Sequence, residues 1–592
     1  MKSLRIKCNS LYWLFKPFWK YGKGLVISSL LINIILVPLS VILITLLPQT
    51  IVDMLETGSH LSEIIKMATL INGIILLLST VSLAHLTFYD RPASARIDMR
   101  IKRDVYLHTL KIDYRYVDSP SYYDDYMWTI DNFAENAKNT NALIQDFCRA
   151  CILISTLVAV IASVGPIIAA IALAIAIIDL QISNQVIKTY VKQDEDLLLP
   201  NRRLGYVHRL FYMNNFIADL KSTNLKNLIL RKYDRTSVDA IDIIKSANAK
   251  MFYQALMITI ARSIGKIILI IYIASNIQSG NIARIGSYIT VFLAIESLDR
   301  SLHEFSQTIQ NGNKLSLYAE RMRKFFDLKS EIETTCAGAI PAVGAFSVEL
   351  KNICFRYENS GFELKNIELS IPPGERVAIV GENGAGKTTL VKLLLRLYDV
   401  IGGDILINGV SIKEYNIGSL RERIGVAFQN SNIYALTFLE NIELYNKVTQ
   451  DKLDEIAQSL KLSEILKKNN ADFSNEVTKE FDEKGIVLSG GEIQKVALAR
   501  LMTGDFGLLL LDEPSSSLDP LSEYDMTKMM LNSSNRSTTI IVAHRLSSIR
   551  DVDRIILFED GTIKETGTHD SLMALGGKYC EMFTKQAENY VK

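Results

Sequence analysis

No part of this chain narrows its fold as sharply as residues 376–395. Arg376-Val377-Ala378-Ile379-Val380 is a short β-branched apolar run, followed at once by Gly381-Glu382-Asn383-Gly384-Ala385-Gly386-Lys387-Thr388-Thr389 and then by a Leu-rich stretch, 390–395. The run reads as a buried strand, the glycines as a tight loop and the leucines as a helix. The spacing G-x-x-x-x-G-K-[ST] has a physical cause. Gly381, Gly384 and Gly386 let backbone N–H groups curl around β- and γ-phosphates that also face a helix N-terminus. Lys387 is then placed to neutralise phosphate charge and the Thr388 hydroxyl to hold Mg²⁺, which predicts an α/β nucleotide-binding domain.

Hydrophobic residues make up 48% of the 592 and mean hydropathy is positive, which is high for a soluble protein, and the excess sits in the first 300 residues. A net charge of +1 gives no basic field for nucleic acid. Six cysteines (Cys8, Cys148, Cys151, Cys336, Cys354, Cys580) are scattered, as suits reduced thiols facing a cytosol. Cys148 and Cys151 read as small hydrophobes on one helix face rather than metal ligands.

Apolar segments recur at 25–47, 64–89, 144–163, 166–186, 252–277 and 285–298. Most reach the roughly 20 residues that cross a bilayer core, the sixth being shorter, so six spans are expected. Ahead of them, residues 1–24 mix Lys and Arg with Leu11, Trp13, Leu14, Phe15, Phe18 and Trp19, the pattern of an interfacial helix. No Lys or Arg falls in 48–63, Val164-Gly165 alone joins the third and fourth spans, and the last short loop carries only Arg284. Residues 91–138 and 188–250 are basic by contrast, which puts both long loops and both termini on the cytoplasmic side of a cell membrane. Helical extensions should carry the two loops well below the bilayer, with docking helices at 117–126 and 213–221.

A helical tail, 302–328, leads to a small-residue linker. The expected map is an interfacial helix at 1–24, a six-helix transmembrane domain at 25–330, a linker at 331–345 and the α/β domain at 346–592, opening with strands 346–350 and 353–357. Lys66, Asp179, Arg262, Lys266 and Glu296 lie within apolar segments. Two readings stand: Arg262 pairs with Glu296 while Lys266 lines an inward-open cavity, or all of these charges snorkel to the cytosolic headgroups.

Gly507-Leu508-Leu509-Leu510-Leu511-Asp512-Glu513-Pro514 reads as a buried parallel strand that delivers two carboxylates to the sheet's carboxyl edge. There Asp512 would complete the Mg²⁺ environment and Glu513 would polarise an attacking water. Between this strand and the phosphate loop stands Leu488-Ser489-Gly490-Gly491-Glu492, followed by the helix-forming Ile493 to Arg500. With that motif the chain resembles the ATP-binding cassette (ABC) transporters, and six spans ahead of one cassette resembles the half-transporter arrangement of ABC exporters.

The resemblance implies ATP and Mg²⁺ as cofactors and a cassette dimer in which Ser489, Gly490, Gly491 and Glu492 act on the nucleotide held by the partner subunit. The family usually has Gln where Glu492 stands. It further implies that Tyr357 stacks on adenine and that Gln429 links Mg²⁺ and water to the membrane domain. His544 would contact the γ-phosphate, and Ser517-Leu518-Asp519 would cross the dimer interface. Phe481 to Gly485 fits the exporter pattern in part, with Glu483 facing a docking helix. The implied catalytic set is Glu513, His544, Gln429 and Lys387. Nucleotide would rest on Tyr357 and the loop from Gly381 through Glu382, Asn383, Gly384, Ala385, Gly386, Lys387 and Thr388 to Thr389, and the metal on Thr388, Gln429 and Asp512. The implied function is ATP-driven export by alternating access, of a peptide or a hydrophobic drug-like compound, in a bacterial membrane. The partner would be a second half-transporter, either the same chain or a related one. An importer of a metal chelate and a regulatory partner subunit are the alternatives. No protease-like domain precedes the spans, so leader-peptide cleavage is not expected.

Overall fold

The computed structural model describes residues 2–118, 120–278, 285–328, 330–332, 338–357, 361–429, 431–513, 528, 530 and 537–588. They fall into two units, 1–109 with 123–328, and 110–122 with 329–592.

The first unit is helical because its segments are long, apolar and almost free of internal breakers. Helix α1 (Lys2–Leu31) passes through a π-helical turn, Ile32–Leu36, into α2 (Val37–Glu56). Helix α3 (Leu61–Ala84) passes through another, His85–Asp90, into α4 (Arg91–Thr109). In the second unit a short helix, α5 (Tyr114–Val117), follows. The first unit resumes in α6 (Pro120–Val164), α7 (Pro166–Tyr212), α8 (Asn214–Ser222), α9 (Leu225–Gln278) and α10 (Ile285–Phe326). Gly165 alone separates α6 from α7, and Pro166, whose missing N–H costs nothing at a first helical position, restarts the chain.

Among the described residues four helical stretches are long and apolar enough to cross a membrane: Arg5–Glu56, Leu61–Thr109, Tyr126–Ser163 and Leu225–Tyr272. The remaining segments, 166–186 and 285–298, are helical within α7 and α10. Leu14 and Phe18 of α1 are buried with Ile97, Ile101, Phe133 and Met322, and Trp13 stands edge-on to Phe133 and Phe326 at 5.5 Å from each. Each such buried side chain stabilises by about 1.5–3 kcal/mol, so this face of α1 belongs to the protein core.

The second unit carries two sheets. Strands β1 (Val348–Arg356), β2 (Glu363–Ile371), β4 (Gly402–Ile407) and β5 (Val410–Ser411) form an antiparallel sheet in the order β2-β1-β4-β5. Here the sequence suggests two strands, 346–350 and 353–357, and the chain makes one. Asn352 takes a left-handed φ of 51°, which absorbs a bulge without ending the strand. The other sheet joins β3 (Arg376–Gly381), β6 (Ile424–Ala427), β7 (Leu508–Asp512), β8 (Thr538–Val542), β9 (Arg554–Glu559) and β10 (Thr562–Gly567), in the order β10-β9-β3-β8-β7-β6. From β9 to β6 every pairing is parallel. The near-continuous apolar runs of β3, β7 and β8 are what a strand covered on both faces requires, and all three are buried almost throughout.

The docking stretch differs from the sequence expectation. The short helix is α5, ahead of the expected 117–126, and Pro120 opens α6 instead. The segment is anchored by Asp113, whose fully buried carboxylate accepts from the Ser330 hydroxyl at 3.0 Å and from the N–H groups of Glu331 and Ile332 at 2.9 and 3.1 Å. Helix α8 caps the tip of α7 and α9, where Val207, Leu210, Leu220 and Ile229 bury one another.

Candidate functional site

In a parallel sheet the strand ends that share one edge bring residues distant in sequence together. Ile379 of β3 is level with Val542 of β8, and Val542 with Asp512 of β7. Ala427 of β6 stands beside Leu511. The residues just past these ends, Gly381, His544, Glu513 and Gln429, therefore emerge along one rim.

The loop after β3 takes positive φ at Gly381 (150°), Gly384 (84°) and Gly386 (106°). A Cβ at Gly381 would lie 2.2 Å from the Phe558 carbonyl oxygen, and one at Gly386 would lie 2.6 Å from Leu364, so both positions exclude side chains. Helix α11 (Lys387–Leu394) begins at once, with its amino end facing the loop. The Lys387 ammonium donates to the loop carbonyls of Gly381 (2.6 Å) and Glu382 (3.1 Å). Burial lowers its pKa, with Glu513 and Asp512 pulling the other way. Glu382 pairs with Lys578 at 3.4 Å, Ala385 is buried beneath the loop, and Asn383 is exposed.

The Thr388 hydroxyl donates to Asp512 Oδ1 at 3.3 Å, and burial raises the Asp512 pKa. A hydroxyl and a buried carboxylate side by side form an oxygen donor set that suits a hard cation such as Mg²⁺. Next to Asp512, Glu513 adopts a left-handed φ of 51°, a conformation that costs a non-glycine residue energy and concentrates at functional sites. Its carboxylate accepts from Gln429 Nε2 at 2.7 Å and lies 2.5 Å from His544 Nε2. The structure thus brings Lys387, Thr388, Asp512, Glu513, Gln429 and His544 together.

Tyr357 lies beside α11, its hydroxyl 3.2 Å from that of Thr389 and its ring edge-on to Tyr398 at 5.3 Å. The motif 488–492 is built separately, at the start of helix Gly490–Met502. Ser489 caps that helix, and Glu492 returns the bond by accepting from the Ser489 N–H at 2.7 Å, while Lys468 donates to it at 3.0 Å. Burial pushes the Glu492 pKa up, but the Ser489 bonds and Lys468 outweigh it and hold the carboxyl below its usual range. Gln at this position could accept the same capping bond. Among the described residues, no hydrogen bond or ion pair joins Ser489, Gly490, Gly491 or Glu492 to the phosphate loop. Ser517-Leu518-Asp519 lie outside the described residues, as do the side chains of Asp179, Arg262 and Lys266. Lys66, Glu296 and Glu483 are exposed.

Several positioning contacts carry no local sequence signal. Arg500, buried, donates to the Asn441 backbone and side-chain oxygens (2.7 and 3.0 Å) and to the Asn432 carbonyl (2.8 Å), which ties the helix Gly490–Met502 to the segment after Gln429. Gln586, on the helix Lys578–Glu588, donates to the His544 carbonyl at 2.8 Å and accepts from the Leu546 N–H at 2.9 Å. On α5 and its flank, Asp118 accepts from the Tyr398 hydroxyl at 2.6 Å and lies 3.6 Å from the Lys392 ammonium. In the helical unit, Arg149 reaches Asp146 (2.9 Å), Glu304 (3.5 Å) and Asn33 Oδ1 (3.3 Å), and Asn33 donates to Gln145 at 3.0 Å.

A phosphate cradle, a lysine, a paired hydroxyl and carboxylate and a second carboxylate held by Gln and His define a phosphate-loop nucleotide hydrolase. The comparisons agree. Residues 364–516 match the family described as ABC transporter. The subtilin transport ATP-binding protein SpaT of Bacillus subtilis is 34% identical over 420 residues, 67% of this chain and 66% of that protein. The ATP-dependent lipid A-core flippase of Haemophilus influenzae is 32% identical over 308 residues, 51% of each. The chain thus spans about half to two-thirds of the length of these relatives. A structure of a bacterial Atm1-family ABC exporter with ATP bound superposes with a TM-score of 0.78 at 21% identity, over 95% of this chain and 98% of that one. The α/β unit is an ATP-binding cassette of the ABC transporter family, and the whole chain has the fold of an ABC exporter half-transporter.

Proposed function

We propose that the chain is an ATP-driven membrane exporter, working as a dimer of half-transporters that alternates between inward- and outward-open states. One observation carries this reading. Lys387, Thr388, Asp512, Glu513, Gln429 and His544 converge on one sheet edge in a chain that also carries membrane-length apolar helices. Bound with ATP, Mg²⁺ would be held by Thr388 and Asp512 and would supply charge neutralisation at the phosphates.

The chain's own groups do the rest. On nucleotide binding the Lys387 ammonium exchanges two loop carbonyls for phosphate oxygens, and the loop N–H groups bind the remaining negative charge. Glu513 orients the attacking water and receives its proton at a carboxylate oxygen, and the Gln429 amide at Oε2 and the His544 imidazole at Oε1 fix the direction of the carboxylate. Ser489, Gly490, Gly491 and Glu492 close on the nucleotide of the second chain, where the amino end of helix Gly490–Met502 suits an anion. The relatives named for subtilin transport and lipid A-core flipping support a cargo with substantial apolar surface, and we place peptide or lipid-like compounds first. The cassette and both termini sit on the cytoplasmic side, and residues 1–24 meet the inner leaflet along their exposed aromatic and basic face.

The test is Glu513→Gln in the full chain. Loss of a general base lowers turnover about 10²–10⁴-fold, and the variant should retain bound ATP. Undiminished turnover would refute the assignment.

A further inference from the structure

Helices α7 and α9 turn polar faces toward each other around a cavity of about 550 Å³. From α7 it is lined by Gln185, Lys188, Thr189, Lys192, Gln193 and Asp196, and from α9 by Ile243, Ser246, Ala247, Lys250 and Gln254. The spacing in each helix, three or four residues and multiples of it, puts these residues on one face. Three ammonium groups meet one carboxylate, and among the described residues Lys188, Lys192, Lys250 and Asp196 form no ion pair or hydrogen bond. Gln254 is nine-tenths buried, and its amide oxygen, like that of Gln193, has no hydrogen-bond partner. Buried amide oxygens are normally paired, so the cavity offers both cationic donors and unfilled acceptors.

The level of the cavity identifies its ligand. Lys188 lies 22 residues beyond Pro166, about 33 Å along α7, close to one hydrocarbon thickness. Lys250 just precedes the apolar run 252–277 of α9. We propose that this cavity binds a phosphate ester carrying a free hydroxyl, the phosphodiester going to Lys188, Lys192 and Lys250 and the hydroxyl to the amide oxygens of Gln193 and Gln254. At this depth the abundant source of such a group is the headgroup of an anionic phospholipid of the inner leaflet. The site rests on the membrane placement proposed above and adds a lipid-binding site to it.

The full chain is reconstituted in nanodiscs of phosphatidylcholine alone or with phosphatidylglycerol, and lipid retained after gentle extraction is weighed by native mass spectrometry. Phosphatidylglycerol should be retained over phosphatidylcholine. A variant with Lys188→Gln, Lys192→Gln and Lys250→Gln should lose that preference about a hundredfold, with ATP turnover in neutral nanodiscs unchanged. A second arm offers glycerol 3-phosphate to detergent-solubilised chain. Binding there, abolished by the same substitutions, would support the phosphate site and assign it a soluble ligand. Equal retention of both lipids with no glycerol 3-phosphate binding, or a preference that survives the triple substitution, overturns the proposal. Turnover by the unmodified chain in neutral nanodiscs tests the exporter reading separately.

Discussion

Asp113 offers the sharpest test of how the segment 110–122 is held in the cassette unit. Asp113→Ala removes a carboxylate with no exposed surface that accepts three hydrogen bonds, two of them from the backbone of Glu331 and Ile332. Leaving a buried donor unpaired costs about 1–3 kcal/mol. Ile332 is buried and cannot recover its bond from water, whereas exposed Glu331 can in part. The sum is about 3 kcal/mol, or on the order of a hundredfold in a local opening equilibrium. The consequence should stay local, because β3, β7 and β8 do not touch this carboxylate. Hydrogen exchange followed by mass spectrometry on the full chain should therefore show amides of 110–118 exchanging about a hundredfold faster, with those of β3 and β7 unchanged. Asp113→Asn, which keeps one acceptor oxygen and the shape, should fall between. Exchange at 110–118 as slow as in the unmodified chain would show that the buried carboxylate is not what holds the segment.

Two further outcomes follow from the site. Gln586→Ala removes both bonds to the His544 loop, so kcat should fall about tenfold with KM for ATP within about twofold, and Gln586→Glu, which keeps the acceptor for Leu546 N–H, should recover part of it. A raised KM at constant kcat would contradict a positioning role. Asp512 holds its proton more tightly folded than unfolded because it is buried, so the nucleotide-free chain loses stability as pH rises from about 4 through the folded value. Cation binding needs the ionised form, so thermal stabilisation by Mg·ATP should grow as pH rises through that same window. Stabilisation by Mg·ATP that does not grow as pH rises above about 4 would refute it.

What the sequence revealed follows from the range of the interactions involved. The phosphate loop and the Asp512-Glu513 pair each sit at the end of a short apolar run, so strand, rim and chemistry are adjacent in the chain. Gln429 and His544 have no such local pattern and became visible only through family resemblance. Gln586 reaches His544 across 42 residues, Arg500 reaches Asn441 across 59, and Asp113 reaches Ser330 across 217. No periodicity encodes such pairings. The Tyr-rich composition of 117–126 points past the short helix at Tyr114–Val117, because the group that anchors it is a single aspartate, Asp113, ahead of that stretch. The same range of interaction governs charges in the helical unit. Asp146 and Arg149 stand at the edge of an apolar segment and look like solvated flank, until α10 brings Glu304 to them.

Helix α11 draws these elements into one device. Its first residue, Lys387, sits in the phosphate loop, and five residues later Lys392 lies 3.6 Å from Asp118 and over the rings of Tyr114, Tyr357 and Tyr398 at 5.4 to 5.8 Å. Five residues of helix are about 7.5 Å of stiff rod. When phosphate draws Lys387 off the carbonyls of Gly381 and Glu382, any displacement of α11 is delivered to the segment that α5 occupies. Tyr398 rides on the same contact. Burial, followed by its bond to Asp118, pushes its pKa far above the usual tyrosine value, so it remains a donor at every physiological pH. Tyr357 packs edge-on against it. A nucleotide that engages both the loop and Tyr357 would therefore act on the segment 114–118 from two sides, through Lys392 and through Tyr398.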